Sequence, residues 1–214
     1  MQRIYCISGM GADERVFRKL SIPGYELVPV KWVAYDKKDT LSTYARKLTL
    51  QIPGDNPIVL GLSLGGMLSV EIGKIIKASK IFLISSAKTS SELPRIGQKP
   101  FLKNLIQNLP SGFFGHTSLM NTKMIGAEND EDRKLLVDMM RDTDPGFIKW
   151  SLGAVVGWNN TTYPKEVIHI HGTADRIIPA KNVKPDHWVK GGSHIMIVNR
   201  ADEVSRIISG YLSA

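Results

Sequence analysis

Residues 57–78 place a strand-like run directly against a helix-like run, with almost nothing between them. Pro57-Ile58-Val59-Leu60-Gly61-Leu62 is short and apolar throughout. From Leu64 onward the apolar residues recur at the helical period, to about residue 78. Only Ser63 separates the two, and Gly61, Gly65 and Gly66 surround it. A chain that leaves a strand and enters a helix within one residue must turn very tightly. Glycines two places before and after the serine remove Cβ atoms that would meet neighbouring backbone. An apolar run with no polar alternation also predicts a strand covered on both faces, as in a parallel sheet.

The same alternation continues along the chain. Strands are expected over 3–8, 26–32 (weakened by Pro29), 57–62, 80–85 and 166–171, with a possible sixth over 186–190. Helices are expected over 40–50, 64–78 and 195–211. Strands alternating with helices predict an α/β fold: three layers, α/β/α, doubly wound, with a mostly parallel sheet of about six strands. At 214 residues the chain is expected to form one domain. Residues 88–160 break the rhythm and are too long for an ordinary connection. They read as mostly helical, most clearly over 101–109, 130–140 and 146–158. The expected organisation is a core of residues 1–87 and 161–214, with 88–160 inserted as a helical cap at the active-site end of the sheet.

Composition narrows the functional classes. The net charge is +8 with a pI near 9.5, which raises the question of nucleic acid. The excess is diluted: 12 Lys/Arg face 7 Asp/Glu in residues 1–87, 9 face 8 in 88–160, and 7 face 5 in 161–214. Basic residues never run beyond pairs such as Lys37-Lys38, so these read as solvated faces and no nucleic-acid partner is expected. No apolar run is long enough to span a membrane, and the N-terminal apolar stretch is too short for a signal peptide. A cytoplasmic protein is the simplest expectation. The single cysteine, Cys6, excludes an internal disulfide framework and a Cys-based zinc site; within the first strand it reads as a buried thiol.

Gly61-x-Ser63-x-Gly65 between a strand and a helix presents the Ser63 hydroxyl at the tip of the sheet. The main-chain N–H of Leu64, at the helix start, points to where an oxyanion would form. A serine at neutral pH needs a base, and the base needs an orienting acid. Asp175 follows the fifth strand in His171-Gly172-Thr173-Ala174-Asp175. His194 follows the last strand in Gly191-Gly192-Ser193-His194. Ser63, Asp175 and His194 therefore belong to three strands and one end of the sheet, where open α/β sheets meet their ligands. The other candidates are placed less well. His116 falls in the insertion, His187 at a strand edge, and Asp202 in the last helix. His169-x-His171 offers metal-ligand spacing but no third ligand, so no metal is expected.

A second oxyanion donor is expected from the loop Ser8-Gly9-Met10-Gly11-Ala12-Asp13, with the N–H of Met10 as the candidate. The same loop has the start of a dinucleotide fingerprint. Its third glycine is replaced by Glu14, however, and Asp13 and Glu14 would face a pyrophosphate. No phosphate-loop motif occurs.

Four segments, SGMGAD, GLSLGG, HGTADRIIP and GGSH, together resemble the α/β-hydrolase superfamily over nearly the whole chain. The insertion resembles the cap of that superfamily. The chain departs from the usual pattern in starting at the oxyanion-loop strand and in carrying Ser8 where a histidine commonly stands. The resemblance implies acyl-transfer chemistry without cofactor or metal. His194 would take the Ser63 proton, Asp175 would orient His194, and Met10 and Leu64 N–H groups would hold the oxyanion. The function expected first is a serine hydrolase acting on a small-molecule carboxylic ester or thioester with a carbonyl centre. An amidase or a C–C bond hydrolase would use the same triad, and a ligand-binding protein on the same fold is the non-enzymatic alternative. Apolar residues of the insertion (Phe113, Phe114, Leu119, Met120, Met124, Met139, Met140, Trp150 and Trp158) are expected mainly to form its own core, with some lining an acyl pocket.

Overall fold

The computed structural model describes residues 1–94, 104–106, 108–115 and 122–213. Six strands form one sheet: β1 Gln2–Ile7, β2 Tyr25–Pro29, β3 Ile58–Leu62, β4 Lys80–Ile84, β5 Val167–Gly172 and β6 His187–Val189. The order is β2-β1-β3-β4-β5-β6 and every neighbouring pair is parallel. Pro29 is accommodated because β2 is an edge strand. The order reverses beside β1, so the chain winds helices onto both faces of the sheet.

Strand side chains alternate between two cores. Tyr5, Ile7, Val59, Ile81, Leu83 and Val167 point to one face. There they meet α1 (Leu41–Leu48) and α2 (Leu64–Gly73) through Tyr44, Leu48, Leu68 and Ile72. Ile4, Cys6, Leu60, Phe82, Ile84 and Ile170 point to the other face. They meet the 3-10 turn Glu14–Phe17 and the C-terminal helices.

Local chemistry fixes the ends of these elements. Thr40 caps α1, accepting from Thr43 N, while the Thr43 hydroxyl accepts from Thr40 N. Helix α2 stops at Gly73 rather than running to residue 78. A Cβ at Gly73 would overlap Ile81 and Pro164, so the helix ends pressed on β4, and Ile75 and Ile76 both turn back to the Ile72 carbonyl. The helix expected over 195–211 is two helices, divided at Arg200, which has φ −129° and ψ 30°.

The insertion is mostly helical where described. Residues 104–106 and 108 are helical. They are followed by α3 (Thr122–Ile125), α4 (Asp130–Asp142) and α5 (Pro145–Val156). The C-terminal pair is α6 (Met196–Asn199) and α7 (Ala201–Ser213). Parts of the helix expected over 101–109, together with His116, Leu119 and Met120, lie outside the described residues. Asn129 caps α4; Asp144 caps α5, whose first residue is Pro145.

The packing of the insertion differs from the expectation of a self-contained core. Leu135, Leu136 and Met139 of α4 join the core on one face of the sheet. Phe147 and Trp150 of α5, with Trp158, join the core on the other. Trp32, Tyr35 and Tyr44 surround Phe147 and Trp150, with Tyr35 stacked on Trp150 at 5.3 Å. Phe113 and Met124 are exposed instead. Apolar surface buried against the sheet removes more area from water than two short helices bury against each other.

Candidate active site

Ser63 stands between β3 and α2 with φ 52° and ψ −115°, a left-handed conformation that an L-residue holds only when its surroundings impose it. Three glycines make the turn possible. A Cβ at Gly61 would overlap the Gly65 carbonyl, one at Gly65 would overlap the carbonyls of Ile7 and Ser8, and one at Gly66 would overlap Ser86. Ser63 N donates to Ile84 O at 3.0 Å, and the Ser86 hydroxyl donates to Ser63 O at 2.6 Å. Sequence reasoning missed this role of Ser86. A small residue two places after the neighbouring strand is the only signal for it.

The strand-end loops bring the candidate side chains together. His194 Nε2 lies 2.9 Å from Ser63 Oγ, and His194 Nδ1 lies 2.8 Å from Asp175 Oδ2. With a carboxylate on one side, the imidazole carries its proton on Nδ1 and donates it to Asp175; Nε2 accepts from the serine hydroxyl. Asp175 and His194 are buried, while Ser63 keeps partial exposure. Asp175 Oδ1 accepts from the main-chain N–H groups of Ile177 and Ile178 at 2.8 and 2.9 Å. Burial alone would raise the Asp175 pKa. The His194 hydrogen bond, with the Ile178 N–H and His171, outweighs it and holds the carboxyl below the usual range, so it stays ionised.

The loop after β1 lies against Ser63, since a Cβ on Gly9 would sit 3.5 Å from Ser63 Cβ. Gly11 has φ +70°, and Ala12 N closes the turn onto Gly9 O at 3.1 Å. Ser8 braces this loop in its own way: its hydroxyl donates to Ala12 O at 2.9 Å, and Trp32 Nε1 donates to the same carbonyl at 3.1 Å. Leu64 opens α2, where an N–H has no partner one turn back. Leu64 thus follows Ser63 directly, and Met10 lies in the loop whose Gly9 packs on Ser63.

The insertion reaches the same end. Met140 of α4 packs on Gly11, so that a Cβ there would touch its sulfur and methyl. Gly126, after α3, packs on Ser193 and accepts from the Ser193 hydroxyl at 3.3 Å and Asn199 Nδ2 at 2.9 Å. A separate crevice of about 940 Å³ runs beside α1, α2 and α5, walled by Tyr35, Lys74, Lys149, Trp150 and Trp158, and includes none of Ser63, Asp175 or His194. Cys6 is buried with its thiol pKa pushed up by desolvation, which makes it a packing residue. Among the described residues no cluster of three metal-ligating side chains occurs, and no helix is long and apolar enough to cross a membrane.

No family model and no curated protein matches the sequence. Solved structures do. An esterase from Exiguobacterium antarcticum superposes with a TM-score of 0.74 at 15% identity, over 100% of this chain and 92% of that one. A bromoperoxidase from Bacillus anthracis gives 0.69 at 16%, over 100% and 92%. A thermophilic esterase from Thermogutta terrifontis gives 0.68 at 13%, over 100% and 90%. At such identities the likeness carries the architecture and not the activity: the chain has the α/β-hydrolase fold.

Proposed function

We propose that this protein is a serine hydrolase that cleaves a small-molecule carboxylic ester or thioester through an acyl-enzyme, with Ser63 as nucleophile, His194 as base and Asp175 as orienting acid. The observation that carries this reading is the continuous hydrogen-bonded line from Ser63 Oγ to His194 (2.9 Å) to Asp175 (2.8 Å), starting at a serine held in a strained turn. Esterases among the structural neighbours support it.

In this mechanism Ser63 Oγ attacks the carbonyl carbon while His194 Nε2 takes its proton. The Nδ1–H bond to buried, ionised Asp175 stabilises the imidazolium that forms. The N–H groups of Met10 and Leu64 receive the oxyanion. His194 then passes the proton to the leaving oxygen or sulfur. Water, deprotonated by the same nitrogen, attacks the acyl carbon and releases the acid and Ser63. The insertion acts as a cap over 88–160, with Met140 and the turn at Gly126 pressing on the two loops that flank the serine.

The test is turnover of p-nitrophenyl esters of graded acyl length by the wild type beside Ser63→Ala. The expected result is release of nitrophenolate by the wild type and a loss of at least about 10³-fold in the variant. Equal rates in the two proteins would overturn the assignment of Ser63.

A further inference from the structure

Two buried histidines take no part in the chemistry above. His169 and His171 lie on β5, on the sheet face that carries α2, and neither is exposed. His169 Nε2 lies 3.1 Å from His171 Nδ1. His171 Nε2 lies 2.9 Å from the Ile178 carbonyl oxygen and 3.4 Å from Asp175 Oδ2.

These contacts fix both tautomers. The two atoms that face His171 Nε2 are acceptors, so that nitrogen carries the proton. In the neutral ring Nδ1 is then an acceptor, and His169 donates to it from Nε2. His169 Nδ1 is left with a lone pair, and this atom has no hydrogen-bond partner among the described residues. Neutrality follows from the surroundings. Burial first, then the neighbouring imidazole and Lys88, outweigh the pull of the Ser86 main chain and hold His169 well below the ordinary histidine range. Burial also lowers His171, against the opposing pull of Asp175. Both nitrogens of His171 are engaged within the protein, so the His-x-His spacing cannot offer a metal two ligand atoms.

We propose that His171 is a positioning residue for the acid of the site, and that His169 sets the tautomer His171 needs to do so. The proposal rests on the reading of Ser63, His194 and Asp175 given above. Asp175 Oδ1 is pinned by the Ile177 and Ile178 N–H groups, while Oδ2 accepts from the His194 N–H and has His171 Nε2 at 3.4 Å beside it. The His171 proton also ties the Ile178 carbonyl back to β5, closing the same turn whose N–H groups hold Oδ1. A carboxylate held in this way cannot rotate without giving up a donor. Its Oδ2 therefore keeps His194 aimed at Ser63. Loss of the tie allows the turn to drift, and small misplacements of a reacting geometry reduce rate strongly.

Two arms test this. The first is 15N-histidine NMR of the intact wild type, without substrate. It is expected to show His169 and His171 both neutral with the proton on Nε2 at pH 7. A cationic ring at either position, or a proton on His171 Nδ1, overturns the proposal. The second compares His171→Gln, whose amide reaches the place of Nε2, with His171→Asn, which is too short. The Asn variant is expected to lose about tenfold in kcat with KM within about twofold, and the Gln variant to recover most of that loss. Equal kcat in the two folded variants overturns the positioning role. If neither variant folds, the tautomers decide. Absence of serine-dependent turnover in the wild type would refute the catalytic reading instead, and the NMR arm does not depend on it.

Discussion

The turn at Ser63 and the insertion over 122–156 both press on the carboxyl end of the sheet, yet they hold their places by different means. The turn is held by backbone. Gly61, Gly65 and Gly66 let main-chain atoms approach within distances that any side chain would block, and Ser63 is strained as a result. The insertion is held by bulk. Met139, Phe147 and Trp150 fill the two cores of the sheet, and the ion pairs Arg18–Glu131 and Arg15–Asp142 that tie it to the first loop are exposed and worth little. Strained backbone places an atom to within a fraction of an ångström, as a nucleophile requires. Side-chain packing anchors a covering element and leaves its surface free to vary.

The comparison makes one substitution act oppositely in the two regions. Gly65→Ala puts a methyl into the Ile7 and Ser8 carbonyls, neither of which can yield without breaking β1. It is expected to destabilise by about 4 kcal/mol or more, read as a lower urea midpoint. Trp150→Ala, in the insertion, removes a buried ring that also donates to Asp39 O at 3.1 Å. The expected loss is about 3 kcal/mol, and a loss below about 1 would mean that α5 is not anchored in the core. Gly153→Ala sits in the same helix with nothing within 4 Å of the new methyl. It is expected to stabilise by about 0.5–1 kcal/mol, since alanine favours a helix interior.

The buried imidazoles add a pH dependence to the sheet side of the comparison. His169 and His171 are held neutral in the folded protein, below the ordinary value of 6.5. Protons then bind the unfolded chain preferentially as pH falls past 6.5, and stability declines. Between pH 6.5 and 5.5 each ring is expected to remove up to about 1 kcal/mol, measured as a falling urea midpoint. Asp175, held below its ordinary 3.8, stabilises above that value and loses its contribution only at lower pH, so it does not confuse this window. A flat midpoint from 6.5 to 5.5 would mean that the pair is not locked neutral.

What the sequence revealed follows the same division. The strands, the turn at Ser63 and the loops bearing Asp175 and His194 were legible because local signals carry them: apolar runs, glycines at fixed offsets and residues directly after strands. Features made by contact between distant segments were not legible. Nothing local tells that Gly73 meets Pro164, that Trp150 packs on Tyr44, or that Ser86 braces Ser63. The His169–His171 pair was visible as a spacing, but its meaning needed the Ile178 carbonyl on the far side of the turn.

The central claim is that Ser63 is a nucleophile activated by His194. Its most direct test is reaction with a serine-reactive phosphonate, followed by intact mass and peptide mapping. The account predicts a single adduct on Ser63 in the wild type, none at that site in Ser63→Ala, and much slower labelling in His194→Gln. An unmodified Ser63, or labelling at the wild-type rate without His194, would contradict it.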